Sequence, residues 1–522
     1  MVKLTHAAEV LLKEYDKSYA TVHEKTISVN PVVSDVAHWY EKLRTAMDYR
    51  EDEVILRASI ERILKRRLMF GGSGKNIAEP LIRELVWARY FPDSTVPEAI
   101  ILKVESEIDL FLKLEKEINR KHRINKQTVN EWILQLLSGE IEHALKDNHQ
   151  KDILSNFIFQ LFNEKVEILD DSEETRDVQV FIAVRKAFAK DDTAFLRYQL
   201  FLQYFGTLSI HNIDKISDNF LIGFKTINAQ FNHPLKDRIY RYIKNQIPPF
   251  LILEDILKKY SGSAHQLLLD QDELNKAILE TCSRRYRGIA GKIKRAIVRS
   301  VIFIFVTKAI FALAIEGTYQ SLIYGRIIWG SLALNIFTPA ILMIIVGVLI
   351  KTPSRENSFR IMEKINSVLT SDEPTIKEPI SLRKKPGKKE PILSALFMIL
   401  WLVTFVLSFG AVGFVLSKIH LNLLSQGVFL FFLAIVSFIS YRINQTANMY
   451  TIKIDKENIW SILFDFFFAP LIYVGRKLTQ GITQINIILF FFDFIIETPF
   501  KGIFAFFEQW FLFLRAQREK LE

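Results

Sequence analysis

The chain has 522 residues, with 68 Lys and Arg against 58 Asp and Glu, for a net charge of +10. Its mean hydropathy is +0.14 and 42 residues are Phe, a composition unusual for a purely soluble globular protein. The single cysteine, Cys282, excludes an intrachain disulfide and any metal site built on several thiolates.

The basic surplus sits in one half. Residues 1–282 carry 39 Lys and Arg against 43 Asp and Glu, whereas residues 283–522 carry 29 against 15. Positive charge beside apolar segments marks a membrane face, and no nucleic acid is expected as a partner. The opening stretch "MVKLTHAAEVLLKEYDKSY" is amphipathic and charged. It lacks a continuous apolar core and a small-residue cleavage site, and no signal peptide is read there.

Along residues 1–282, apolar residues recur at helical spacing. "EVILRASIERILKRRL" places Val54, Leu56, Ile60, Ile63, Leu64 and Leu68 broadly on one face, and "IILKVESEIDLFLKLEKEI" and "VNEWILQLLSGEIEHAL" behave alike. Breaks fall at "FGGSGKN", "FPDSTVP", "DDSEE", "FNHPLKD" and "NQIPPF", and "TISVNPVV" is the best candidate strand. The expectation is an all-α domain.

The stretch "MFGGSGKN" resembles a phosphate-binding loop only superficially. Such a loop needs a glycine five residues before Gly74-Lys75 and a Ser or Thr after it; Met69 and Asn76 stand there instead. The preceding residues are also helical in pattern, not a strand. A helix–turn–helix is expected, with Gly71 and Gly72 ending one helix and Ser73 or Asn76 capping the next. His143 and His149 lie six residues apart, off a common helical face, and His23 lacks the partner histidine of a zincin. No metal ligand set, nucleophile elbow or paired-carboxylate motif emerges, so no catalytic residue and no cofactor are assigned.

Residues 283–300 carry seven basic residues and no acid: Arg284, Arg285, Arg287, Lys292, Lys294, Arg295 and Arg299. This basic neck is a candidate contact for anionic lipid headgroups. Four apolar stretches follow, beginning at Val301 and covering 327–350, 392–416 and 421–441, each close to the ~20 residues that cross a bilayer as a helix. Segment 351–391 carries ten Lys and Arg and contains "SLRKKPGKKEP", which reads as a flexible basic linker. The two intervening turns carry only Arg326 and Lys418. The positive-inside rule then puts residues 1–282, the 351–391 segment and the C-terminus in the cytoplasm.

The first span holds Lys308 near its middle. A lysine at that depth costs at least about 2.5 kcal/mol unless it meets a partner or water. Counting from the outer ends, Lys308 and Asn335 both lie about 12–14 Å in. Ser331, Asn335 and Thr338 form a polar stripe expected to face Lys308, with Glu316 near Arg326 at the mouth. Pro339 is a candidate kink beside that stripe. Thr404, Ser408 and Ala411 give the third span a face of small residues suited to close packing.

In the tail, residues 459–514 are rich in Phe but interrupted by Asp465, Asp493, Glu497, Lys501 and Glu508. From Asn486 onward these fall near a helical period, giving one polar stripe on an apolar helix. Such helices suit the bilayer interface, or lie re-entrant against the bundle with the stripe inward.

The expected architecture is all-α. Its segments are a helical cytoplasmic domain (1–282), the basic neck (283–300), a first transmembrane hairpin (301–350), a basic cytoplasmic linker (351–391), a second hairpin (392–441) and an aromatic membrane-associated tail (442–522). The expected function is a multi-pass cell-membrane protein, both termini cytoplasmic, whose first domain binds an unidentified protein as scaffold or anchor. The alternative is a transporter, channel or insertase using a polar groove around Lys308. A lipid-handling enzyme would have only Asp465, Asp493 and Glu497 as clustered acids, with no nucleophile beside them.

Overall fold

The computed structural model describes residues 4–16, 25–47, 52–69, 71–146, 148–371, 379–383, 391–419, 421–452, 459–484 and 498–519. In chain order the first elements are α1 (His6–Asp16), α2 (Pro31–Met47), α3 (Asp52–Met69), α4 (Gly74–Trp87), α5 (Ala99–Lys121), α6 (Lys126–Leu145) and α7 (His149–Asn163). Then come β1 (Val166–Ile168), α8 (Glu173–Val184), a π-helical turn (Arg185–Ala189), α9 (Thr193–Phe205), α10 (Ile213–Phe231) and α11 (Lys236–Lys244). The helices α12 (Pro248–Lys259), α13 (Ala264–Leu269) and α14 (Gln271–Phe311) lead through a second π-helical segment (Ala312–Gly317) into α15 (Thr318–Tyr324). The rest comprises α16 (Trp329–Leu349), α17 (Arg355–Thr370), β2 (Ile380–Leu382), α18 (Pro391–Lys418), α19 (Leu423–Ala447), α20 (Ile459–Gln484) and α21 (Thr498–Glu519).

The chain is all-helical apart from two three-residue strands and one isolated bridge among the described residues. It forms two compact units. One contains Met1–Thr5, Asn245–Lys377 and Lys385–Ile485; the other contains His6–Lys244, Glu378–Lys384 and Asn486–Glu522. The first bears the candidate spans and the second is called the N-terminal unit below.

In the N-terminal unit, the apolar faces of α3 to α6, α9 and α10 close on one core. At its centre Trp132 meets Phe201, Phe220 and Phe224 edge-on, with centroids 5.2–6.2 Å apart. Each such pair adds about 0.5–1.5 kcal/mol beyond the area it buries. Half of "TISVNPVV" pairs as anticipated for a strand: Thr26 bridges Pro97 and the Ile27 amide donates to Val96 O at 2.9 Å. The other half does not, because Pro31 opens α2, where its fixed φ and missing N–H suit a first helical turn. The strands β1 and β2 pair in parallel, Val166 beside Ile380 and Ile168 beside Leu382.

The glycine turn is a helix connector. Gly71 has φ +75° and Gly72 φ +148°, a conformation that costs glycine little. Ser73 sits at the N-cap of α4 without a side-chain bond, and Asp109 Oδ1 accepts from the Gly74 amide at 2.7 Å instead. A Cβ on Gly74 would lie 2.1 Å from the Glu105 carbonyl oxygen. This glycine is thus required by close helix packing, and a carboxylate from the chain itself occupies the helix terminus.

In the span-bearing unit, four helices are long and apolar enough to cross a membrane: Gln271–Tyr324, Trp329–Leu349, Ala395–Lys418 and Leu423–Ala447. The first is continuous through the basic neck, which has no proline to break it. Segment 351–391 also contains ordered structure. Ile361, Ile365, Val368 and Leu369 of α17 are buried against α12 and α14. Asn357 donates to Tyr286 Oη and Tyr450 O at 2.7 and 2.8 Å and accepts from the Ile452 amide at 2.9 Å. One buried amide thereby ties three segments together.

Candidate functional site

The most unusual chemistry lies inside the apolar bundle, where Lys308, Glu316, Gln320 and Asn335 are all fully buried. On a regular helix, eight residues turn about 80° past two full circuits, so Lys308 and Glu316 would diverge. The π-helical segment Ala312–Gly317 removes that offset by adding residues to the turn between them. Lys308 Nζ then lies 3.4 Å from Glu316 Oε1. It also lies 4.9 Å from the ring centroid of Phe432 on α19, within cation–π range.

Asn335 of α16 completes the cluster. Its amide donates to Glu316 Oε2 at 2.5 Å and to the Ser425 carbonyl at 3.3 Å. One turn beyond Glu316, Gln320 Oε1 accepts from the Ile328 amide at 2.8 Å and so helps start α16. The charges of Lys308 and Glu316 cancel, and α14, α16 and α19 are linked through polar atoms in an otherwise apolar contact. Asn335 Oδ1, Gln320 Nε2 and Ser425 Oγ have no hydrogen-bond partner among the described residues.

The remaining residues of the anticipated cluster sit differently. Ser331 is half-buried, and Thr338 Oγ1 donates back to Leu334 O of its own helix at 2.6 Å. Arg326 is exposed at the turn, while Glu316 points inward to Lys308 and not to Arg326. Gln320, Ser425 and Phe432 were missed from sequence. Gln320 was detectable, since it follows Glu316 by four residues on the same helix face.

On the neck all seven basic residues are exposed. Arg285 is engaged: its guanidinium forks onto Asp255 and lies 5.8 Å from the Tyr450 ring. Of the tail residues, Asp465 is exposed on α20. Asp493 and Glu497 lie outside the described residues, as do the side chains of Lys501 and Glu508.

The helix α20 packs on the bundle through backbone. A Cβ on Gly475 would lie 2.0 Å from Ala434 O, near the middle of α19. Ser408 Oγ, within α18, donates to Phe467 O at 2.7 Å. Ser408 and Thr404 are buried, whereas Ala411 is exposed.

A polar cleft opens among the described residues of the N-terminal unit. It is lined by Arg57, Glu142, Lys146, Arg185, Asp191 and Asp192 among others. Arg57 bridges Asp192 and Glu61 at 2.7 and 2.5 Å, and Arg185 bridges Asp191 at 2.6 Å and also Asp152. Each arginine is thus matched by two carboxylates of the chain, which fits a structural network. Among the described residues no group of three or more His, Cys, Asp or Glu is placed to hold a metal.

Burial pushes the Glu142 carboxyl up to about 7 from an ordinary 4.5. Its folded pKa is therefore above its unfolded one. The associated stability is present below 4.5 and is lost as pH rises through 7. Glu142→Gln in the full chain is expected to raise stability by roughly 1–3 kcal/mol at pH 8 and to change it little near pH 5. Thermal unfolding of both forms at the two pH values measures this, and an equal effect at both would rule it out.

Comparison with protein-family models, with curated proteins and with solved structures finds no match for this chain.

Proposed function

We propose that the chain is a multi-pass membrane protein whose span-bearing half is a closed anchor and whose N-terminal helical unit is a protein-interaction domain in the cytoplasm. One observation carries this: at full burial Glu316 pairs with Lys308 and accepts from the Asn335 amide, so among the described residues the one buried charge of each sign is matched inside the bundle. A conduit needs polar groups facing a hydrated path, and these face each other. The saturated arginines of the N-terminal cleft likewise favour a binding module over an enzyme. Arg284, Arg287, Lys292, Lys294, Arg295 and Arg299 then sit on the anionic cytoplasmic face, where each basic residue near the surface contributes about 1 kcal/mol.

A second reading uses the same cluster as part of a transport path. It is favoured by the unpartnered Asn335 Oδ1 and Ser425 Oγ, which a water could bridge. Photo-crosslinking separates the two. Crosslinkers at the exposed residues Leu102, Ile210 and Ile222 in intact cells should give discrete protein adducts. The adducts should persist in Lys308→Leu/Glu316→Leu. Adducts to lipid alone, or none, would overturn the interaction reading.

A further inference from the structure

The last helix belongs to the N-terminal unit, not to the bundle that precedes it in the chain. Phe511 of α21 packs against the core of that unit, and α21 touches α2. Among the described side chains of α21, the exposed large apolar ones are regularly placed. Ile503, Phe506, Phe507, Trp510, Phe513 and Leu514 are all exposed. Their spacing of 3, 1, 3, 3 and 1 residues is that of one apolar face on an α-helix. At about 100° per residue they span roughly 120° of the helix, and positions 501, 508 and 515, all charged in the sequence, fall on the opposite half. The neighbouring α2 repeats the pattern, with Val32, Val36 and Trp39 exposed at i, i+4 and i+7.

We infer that this aromatic face of the N-terminal unit rests in the headgroup–acyl boundary of the bilayer. Three observations select lipid as the occupant. An amphipathic helix with Trp, Phe and Leu on one face and charges on the other is the form that lies in a membrane interface. Only residues 485–497 separate α21 from α20, which packs on the middle of two candidate spans, so α21 is tethered to a membrane-embedded helix. And α20 itself exposes aromatic side chains, Phe464, Phe466 and Tyr473. The N-terminal unit then has a membrane contact of its own, in addition to its chain connections to the span-bearing unit. The inference stands whatever protein the unit's other surfaces bind.

The test uses the full chain carrying Cys282→Ala, reconstituted in vesicles of phosphatidylcholine and phosphatidylglycerol. Single spin labels replace Phe506, Trp510 and Phe513, with Trp39 on α2 and Glu508 as the opposite-face control. These apolar positions are exposed, so the labels spare the core. The stripe and Trp39 labels should show an oxygen-to-nickel accessibility ratio several-fold above the Glu508 label, at a depth of about 5–10 Å. Stripe labels open to the nickel reagent would overturn the inference by showing a bare face in water. Stripe labels shielded from both reagents would overturn it by showing a protein partner or a second copy on this face.

Discussion

Lys308→Leu is expected to lower the stability of the purified protein by about 3–5 kcal/mol, and Glu316→Leu by a similar amount. Either change leaves one charge buried without its partner, since both side chains are fully buried. The double variant Lys308→Leu/Glu316→Leu should recover most of the loss, because an apolar pair of similar volume replaces a buried ion pair at little or no cost. Recovery should stop short of complete. Asn335 donates to Glu316 at 2.5 Å, and losing that acceptor leaves a buried amide that costs about 1–3 kcal/mol. Unfolding of the four proteins in detergent against denaturant, assembled as a double-mutant cycle, gives the coupling directly. Additive losses would show that Lys308 and Glu316 do not act as a pair.

Gly475→Val should detach α20 from α19. The added Cβ would lie 2.0 Å from the Ala434 carbonyl oxygen and 2.9 Å from Phe438 Cβ. A backbone oxygen cannot swing aside as a side-chain tip does, so the helices must separate. Association of helices in lipid rests on close packing and hydrogen bonds, and separation also strains the bond from Ser408 to Phe467 O. The cost is about 3 kcal/mol, the upper end for overpacking. Gly410→Val is the matched control, since a Cβ there meets open space. Melting of both variants in detergent should show a clear drop for Gly475→Val alone. Equal melting temperatures would mean that the α19–α20 crossing is not a tight contact.

Much of this architecture can be read from hydrophobic runs. Three of the four apolar helices start within a few residues of the stretches picked out by length and composition, at Trp329, Ala395 and Leu423. The first does not, because its helix runs unbroken from Gln271 through the basic neck to Tyr324. Depth counting put Lys308 and Asn335 at one level, and in the structure both contact Glu316. The inward turn of Glu316 was not legible, because counting assumes 3.6 residues per turn and the segment Ala312–Gly317 is π-helical. Segment 351–391 was read by its charges, which masked the helical spacing of Ile361, Ile365, Val368 and Leu369. The pairing of Val166–Ile168 with Ile380–Leu382 joins residues more than two hundred positions apart, and three-residue strands carry no usable period. Gly475 gave no signal either, since its role depends on a neighbour from another helix.

Sidedness tests the central claim most directly. In intact cells, single cysteines in a Cys282→Ala background would replace Arg326 and Lys418 in the short turns, and Arg299 and Lys351 beside the other ends of the spans. Four crossings predict that an impermeant thiol reagent reaches positions 326 and 418 from outside and reaches 299 and 351 only after permeabilisation. Labelling of position 351 from outside, or equal labelling at all four, would contradict it.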